Sequence, residues 1–222
     1  MNARNSTLSH VRSSDAFTLI ELLTVIAIIG ILAAIIIPTV GAVKVSANKA
    51  KSKVQFSQWA AAITTFKQEY GYYPVLTGTT APQADQGYTL TDSTVRQRFV
   101  EILSGRKVDG TALTDNTTMA PLYQNKRRVG FYSFSDSELT VSGTTVSSIN
   151  DAFTNTEIRV VIDYGNDGLI TSSSLTTTVK GYDSTTGYAP ASTTVPTGGV
   201  RAGVVFYSAG KGNSSTDVVT SW

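Results

Sequence analysis

An uninterrupted apolar stretch near the N-terminus constrains this chain more than any other feature. Residues 17–43 carry a single charge, Glu21, and residues 22–43 are 22 consecutive uncharged, mostly apolar residues. A helix rises about 1.5 Å per residue, so residues 22–43 would cover about 33 Å and cross a hydrocarbon core of roughly 30 Å. Burying such a helix on all sides would require a far larger soluble domain. The stretch therefore predicts a membrane span.

The segment that follows has a different character. Residues 44–70 contain five lysines against Glu69 alone, and large apolar residues recur at steps of three and four. This spacing is typical of an amphipathic helix that packs on its own domain. Gly71 and Pro74 predict where the helix ends. We therefore expect one helix over residues 18–70, with an apolar stripe in its second half made of Phe56, Trp59, Ile63, Phe66 and Tyr70.

The rest of the chain is rich in serine, threonine and turn residues, and its positive and negative charges nearly balance. Alternation and runs of β-branched and aromatic residues predict strands, and the pattern RQRFVEILSG predicts a short helix. The Ser/Thr-rich stretches 171–178 and 184–197 are expected to be long solvated hairpin loops. The expected fold class is α+β, with a helix at 96–105 and strands at 129–134, 157–163, 174–182 and 203–209.

Composition excludes several kinds of chemistry. The chain has no cysteine, which excludes disulfides and thiolate sites. Its single histidine is His10. If the segment around His10 is removed in maturation, imidazole chemistry is excluded as well, and no convincing carboxylate pair remains for acid–base catalysis. The net charge of +2 and the single basic run at 126–128 give no reason to expect a nucleic-acid partner. We therefore expect neither an enzyme nor a cofactor.

The N-terminal residues SSDA followed by FTLIELLTVIAIIGILAAIIIP resemble the leader and first helix of type IV pilins and type II secretion pseudopilins. In that family a membrane-embedded prepilin peptidase cuts before the phenylalanine and methylates the new amino group. The resemblance implies cleavage between Ala16 and Phe17, with Ala16 departing from the glycine that usually precedes the cut. It also implies three parts: a leader (1–16), a transmembrane polymerisation helix (17–43) and a pilin-like globular domain (44–222).

Glu21 does not fit a simple membrane anchor. A carboxylate near a bilayer centre costs roughly 2.5–3.5 kcal/mol on insertion scales, and a position at headgroup level is the alternative for Glu21. The resemblance implies that Glu21 is the family's glutamate at the fifth mature position, where it meets the amino group of a neighbouring subunit. Gly30 and Pro38 fall where family members have helix breakers, so the segment between them is expected to stretch when subunits pack.

The resemblance continues more weakly downstream. The helix end EYGYYP (69–74), the segment 150–168 and the C-terminal loop 208–222 resemble parts of major pseudopilins. In many relatives that loop is rich in aspartate and binds calcium. Here Asp217 is its one carboxylate and only a weak candidate ligand, and Lys211 opposes a cation, so we expect residues 44–222 to bind no calcium tighter than millimolar.

The run YGNDG (164–168), with Asp163 before it, suggests a calcium-binding loop of the EF-hand type. Counted from Asp163, Gly165 occupies the third position and Ser174 the twelfth, so the pattern is not met. A β-hairpin turn with Asp-Gly in its tight bend is the expected structure.

These features together predict a structural subunit that forms a homopolymer through residues 17–43. The expected partners are a prepilin peptidase, an inner-membrane assembly platform and other pilins or pseudopilins. The major pseudopilin of type II secretion is the first expectation, and a surface pilin for adhesion, motility or DNA uptake is the second. A membrane-anchored binding domain that does not polymerise is the remaining alternative, since it would need neither Glu21 nor the leader motif.

The expected location is the inner membrane, crossed once, with the globular domain in the periplasm. Charge counting opposes this orientation, because Arg4 and Arg12 precede the span while four lysines follow it at 44–53. The leader motif implies the opposite orientation, with residues 1–16 in the cytoplasm, and we follow the motif rather than the charge count.

Overall fold

The computed structural model describes residues 17–182 and 184–222, except for the side chain of Pro38. The expected leader, with Ala16, lies outside the described residues. The chain divides into two units, one ending at Lys44 and one covering Val45–Trp222.

The first element is helix α1, Leu19–Tyr70. Its predicted extent, 18–70, is confirmed to within one residue. The helix ends at Gly71, which has a φ of +81° and donates its N–H to the carbonyl oxygen of Lys67 at 2.7 Å. Glycine is favoured there because other residues are strained in the left-handed region.

Antiparallel strands follow α1 and confirm the α+β class. The elements are β1 (Gln86–Thr89), α2 (Ser93–Ser104), α3 (Pro121–Gln124), β2 (Leu139–Ser142), β3 (Thr145–Ile149), β4 (Ile158–Ile162), the 3₁₀ helix Ser172–Leu175, β5 (Val179–Lys180), β6 (Gly187–Tyr188), β7 (Val204–Ser208) and β8 (Val219–Thr220). Among the described residues, one sheet has four strands in the order β1-β4-β7-β8, and two further two-stranded sheets pair β2 with β3 and β5 with β6.

The apolar stripe on the second half of α1 forms the main core with α2 and the four-stranded sheet. The ring of Trp59 lies 5.5 Å from that of Phe206 on β7 and 5.5 Å from that of Phe99 on α2, in both cases edge to face. Edge-to-face packing is the favoured geometry for aromatic pairs. Four of the five predicted stripe residues are fully buried, and the fifth, Tyr70, is partly buried with its hydroxyl bonded to Asn125.

The outer face of the four-stranded sheet is also covered. There, a second buried cluster joins residues of β4 and β7 with Ile170, Leu175, Val179 and Val200. The expectation of freely solvated loops at 171–178 and 184–197 is therefore wrong in part. Within the two stretches, Leu175 is buried in this cluster and Tyr188 and Val195 pack against it, so both stretches are anchored in part. With the main core on the other face of the sheet, this layer buries every residue of β7.

Two predicted strands differ from the structure. Residues 129–134 form no strand, because their aromatic side chains pack on α1 from an irregular backbone: the ring of Phe131 lies 5.4 Å from that of Phe66, and the ring of Phe134 lies 6.2 Å from that of Trp59. In the range 174–182 only Val179–Lys180 is a strand. The strands predicted at 157–163 and 203–209 are confirmed as β4 and β7.

Candidate functional site

The first half of α1 presents its apolar side chains to its surroundings. Phe17 is 79% exposed, and the large aliphatic side chains between Leu19 and Val43 are exposed as well. The helix contains an 18-residue window with a mean hydropathy of 2.9, none of it buried, so its length and composition suit a membrane crossing, as those of a signal sequence also do. An apolar surface of this size marks a place of contact with a membrane or with other proteins.

Glu21 forms a reciprocal set of hydrogen bonds with Thr18 at the start of α1. Its Oε2 accepts from the Thr18 N–H at 2.8 Å and from the Thr18 hydroxyl at 2.7 Å, and its own N–H donates to Thr18 Oγ1 at 3.3 Å. This pattern is a capping box, which satisfies donors that a helix N-terminus leaves free. The role was not expected from the sequence, although Thr18 and Glu21 have the required spacing.

The capping box leaves part of the Glu21 carboxylate available. Within the described residues, Oε1 accepts no hydrogen bond, and the side chain is exposed. A carboxylate can accept about four hydrogen bonds, so a cation from a second chain can bind Glu21 without displacing Thr18.

Gly30 and Pro38 do not interrupt α1 in the isolated chain, since the helix continues through both positions. A Cβ placed on Gly30 would meet no heavy atom within 4 Å, so no close contact inside the chain requires glycine there. Stretching between Gly30 and Pro38 remains a prediction about the assembled state.

The C-terminal loop is held by ammonium groups from α1. Lys49 Nζ donates to the carbonyl oxygen of Thr216 at 3.3 Å, and Lys53 Nζ donates to the main-chain oxygen of Trp222 at 3.1 Å. Asp217, the candidate metal ligand, accepts the N–H of Asn213 at 3.2 Å. Oxygens of this loop thus already have cationic partners from the protein itself.

A buried polar network connects the segment 150–155 with β7 and the C-terminal loop. Asp151 accepts hydrogen bonds from the Ser208 hydroxyl at 2.5 Å and from the Asn155 amide at 3.0 Å, and the same amide donates to the carbonyl oxygen of Gly210 at 2.8 Å. Burial raises the pKa of the Asp151 carboxyl, and these hydrogen bonds oppose that effect. The network holds the C-terminal loop in place through fixed hydrogen bonds.

Comparison with known proteins identifies the N-terminal region. Residues 11–37 match the family model described as the prokaryotic N-terminal methylation motif. The matched range includes Ala16, Phe17, Glu21 and Gly30 and stops one residue before Pro38. No curated protein and no solved structure matched the chain. The N-terminus therefore carries the methylation signal of the type IV pilin and pseudopilin class, whose members are structural rather than enzymatic.

Proposed function

We propose that this chain is the subunit of a pilus-like filament rooted in the bacterial inner membrane. The observation that carries the proposal is the position of the methylation motif, on a helix half whose apolar side chains are exposed. Cleavage between Ala16 and Phe17 would remove the leader, and methylation would modify the new amino group of Phe17.

The exposed half of α1 supplies the assembly surface in this proposal. Before assembly the bilayer covers its apolar side chains, and in the filament the same half of other subunits does so. The free side of the Glu21 carboxylate accepts the Phe17 amino group of a neighbouring subunit. A buried carboxylate needs such a cation, and N-methylation keeps the positive charge of the amine. A prepilin peptidase, an assembly platform and other pilins or pseudopilins are the partners that this scheme requires.

Within this class we place the type II secretion pseudopilus first, as an apparatus that assists export of folded proteins. The support is the resemblance of the C-terminal loop, which begins Ser-Ala-Gly and ends Ser-Trp, to that of major pseudopilins. A surface pilus is the second candidate, and in both cases the unit Val45–Trp222 lies in or beyond the periplasm.

The decisive experiment is N-terminal mass spectrometry of the chain isolated from membranes of cells that contain a prepilin peptidase. The expected mature chain begins with N-methylated Phe17. Phe17→Leu should still be processed, whereas Ala16→Leu should block cleavage, because the peptidase must fit the small residue before the cut. An intact Met1 start, or cleavage beyond Val43, would contradict the proposal.

The two filament types differ in where the polymer ends. Shearing of intact cells releases a surface pilus into the medium. A pseudopilus stays with the envelope, and its subunits are detected there as crosslinked multimers. Abundant filaments in the sheared fraction at native expression would favour the surface pilus over the first choice.

A further inference from the structure

The loop that follows β4 differs from its expected form. Strand β4 pairs with β1 and β7 and not with the segment after it, so residues 163–168 are not the tight turn of a hairpin. Instead, Asp163 Oδ2 accepts the N–H of Gly168 at 2.9 Å, and Asp167 Oδ1 accepts the N–H of Leu169 at 2.9 Å. Gly168 has a φ of +77°. The loop therefore wraps around the carboxylate of its own first residue.

The other oxygen of that carboxylate has no hydrogen-bond partner in the part of the chain that the structure describes. Asp163 is 1% exposed, and its buried Oδ1 accepts no hydrogen bond from any described residue. A Cβ placed on Gly165 would lie 3.5 Å from Oδ1, so this oxygen faces into the loop beneath Gly165. An unpaired buried carboxylate oxygen is costly, and a cation at this position would compensate it.

We propose that the loop 163–174 binds a calcium ion. In an EF-hand loop, ligands come from positions 1, 3, 5, 7, 9 and 12, and a glycine at position 6 makes the sharp turn. Counted from Asp163, Asp167 is at position 5, Gly168 at position 6 and the carbonyl group of Leu169 at position 7. Gly168 adopts the left-handed conformation that the sharp turn at position 6 needs, and its N–H bonds Oδ2 of Asp163, which leaves Oδ1 without a partner among the described residues.

Position 12 is Ser174, which has no carboxylate, but a carboxylate from another segment lies next to it. Asp85, which precedes β1, accepts the Thr171 N–H at 2.8 Å and hydroxyl at 3.0 Å, and the Ser174 hydroxyl at 3.4 Å. Thr171 and Ser174 are positions 9 and 12 of the loop. Asp85 thus brings a third negative charge to the end of the loop as a positioning residue, which the spacing of residues 163–174 alone does not reveal.

The ligand set favours calcium and weak binding. Calcium takes six to eight oxygens in flexible geometry, whereas magnesium demands a near-ideal octahedron at shorter distances. The described residues contain no cluster of three acidic or imidazole side chains around one point, so main-chain and hydroxyl oxygens must complete the site. This low charge count is typical of weak calcium sites, with half-saturation at about 0.1–1 mM, which is tighter than the millimolar limit expected from the sequence.

The test is thermal unfolding of the full chain in detergent micelles, titrated with calcium chloride at constant ionic strength. We expect the melting temperature to rise by roughly 3–10 °C at 10 mM calcium and less in magnesium. Asp163→Asn should abolish the rise, because its amide oxygen can still accept the Gly168 N–H but no charge faces the cation. Without calcium, this variant should melt at or above the wild-type temperature. The matched control Asp217→Asn should keep the full calcium response.

A direct measurement of ion binding keeps the proposal testable if Asp163→Asn fails to fold. Terbium can replace calcium, and its luminescence should be excited through Tyr164 at the second loop position. Asp167→Asn, at an exposed position, should weaken terbium binding about tenfold or more. The proposal is overturned if calcium up to 10 mM does not shift the wild type, or if the shift survives Asp163→Asn. A shift abolished by Asp217→Asn instead would place the ion in the C-terminal loop.

Discussion

The two halves of α1 form one continuous helix, but the apolar side chains of the second half are buried within the domain and those of the first half are exposed. In the second half, apolar residues lie on one stripe, and Trp59 is completely buried within its own domain. In the first half, apolar residues occupy every side of the helix, and Ile28, for example, is 58% exposed. A stripe needs one partner surface, which a single chain can supply. A helix that is apolar all round needs lipid or several other helices.

The largest expected effect tests the buried half. Trp59→Ala should lower the free energy of unfolding of the unit Val45–Trp222 by about 3–5 kcal/mol, because it leaves a cavity among Phe56, Phe99 and Phe206. Thermal unfolding of the full chain in detergent, followed by circular dichroism, measures the change. The matched control Ile28→Ala, on the exposed half of the same helix, should leave that transition within about 0.5 kcal/mol of wild type. Equal effects of the two substitutions would remove the distinction between the halves.

The next prediction concerns assembly through the exposed half. Glu21→Gln keeps the capping box, since glutamine serves at that position, but removes the charge that a neighbouring amine needs. Loss of one partner of a buried ion pair costs about 3–5 kcal/mol, so the variant should be inserted and processed but should form few filaments. Filament yield and length after purification are the measurement.

Glu21→Ala separates the two roles of this side chain. It removes both the cap and the charge, and we expect it to assemble as poorly as Glu21→Gln. If Glu21→Gln assembles like wild type while Glu21→Ala does not, helix capping accounts for the residue and the pairing between subunits is wrong.

The smallest effect sharpens the comparison within the buried half. Ser52 is fully buried and accepts the N–H of Ala152 at 3.1 Å. Ser52→Ala leaves that N–H without its acceptor and should cost about 1–2 kcal/mol in thermal unfolding. Ser57, five residues later, is exposed and bonds only to its own helix, so Ser57→Ala should change stability by less than about 0.5 kcal/mol. If neither substitution changes the stability, the polar contacts of the second half of α1 contribute nothing to its packing on the domain.

The elements that could be predicted from the sequence are those whose pattern is long or strongly apolar. Helix α1 has a continuous run followed by a stripe with regular spacing, and β4 and β7 are short runs of β-branched and aromatic residues. Each of these patterns depends on local sequence alone. The N-terminal motif was recognisable for the same reason, because its signal is contained in one contiguous stretch.

The features that were missed depend on partners distant in sequence. Strand β1 and the pair β2–β3 are short and largely polar, and neighbouring strands or helices define them. Residues 129–134 have a strand-like composition, but their aromatic rings are used for packing against α1. Asp85 lies 86 residues from Thr171, so no spacing rule connects it with the loop that it supports. The Thr18–Glu21 cap was the exception, since its local pattern was present.

The apolar anchors beneath the Ser/Thr-rich loops have a consequence for how this protein can evolve. Only a few positions, among them Ile170, Leu175, Val179 and Val200, hold this outer layer to the sheet. Apart from Thr171 and Ser174, which bond Asp85, the intervening serines and threonines are mostly exposed, so exchanging them changes the outer surface without disturbing the core. The layer can therefore diverge rapidly between lineages while the fold beneath it persists. Any receptor, antibody or phage that binds this face would bind a surface whose sequence can change at little cost to stability.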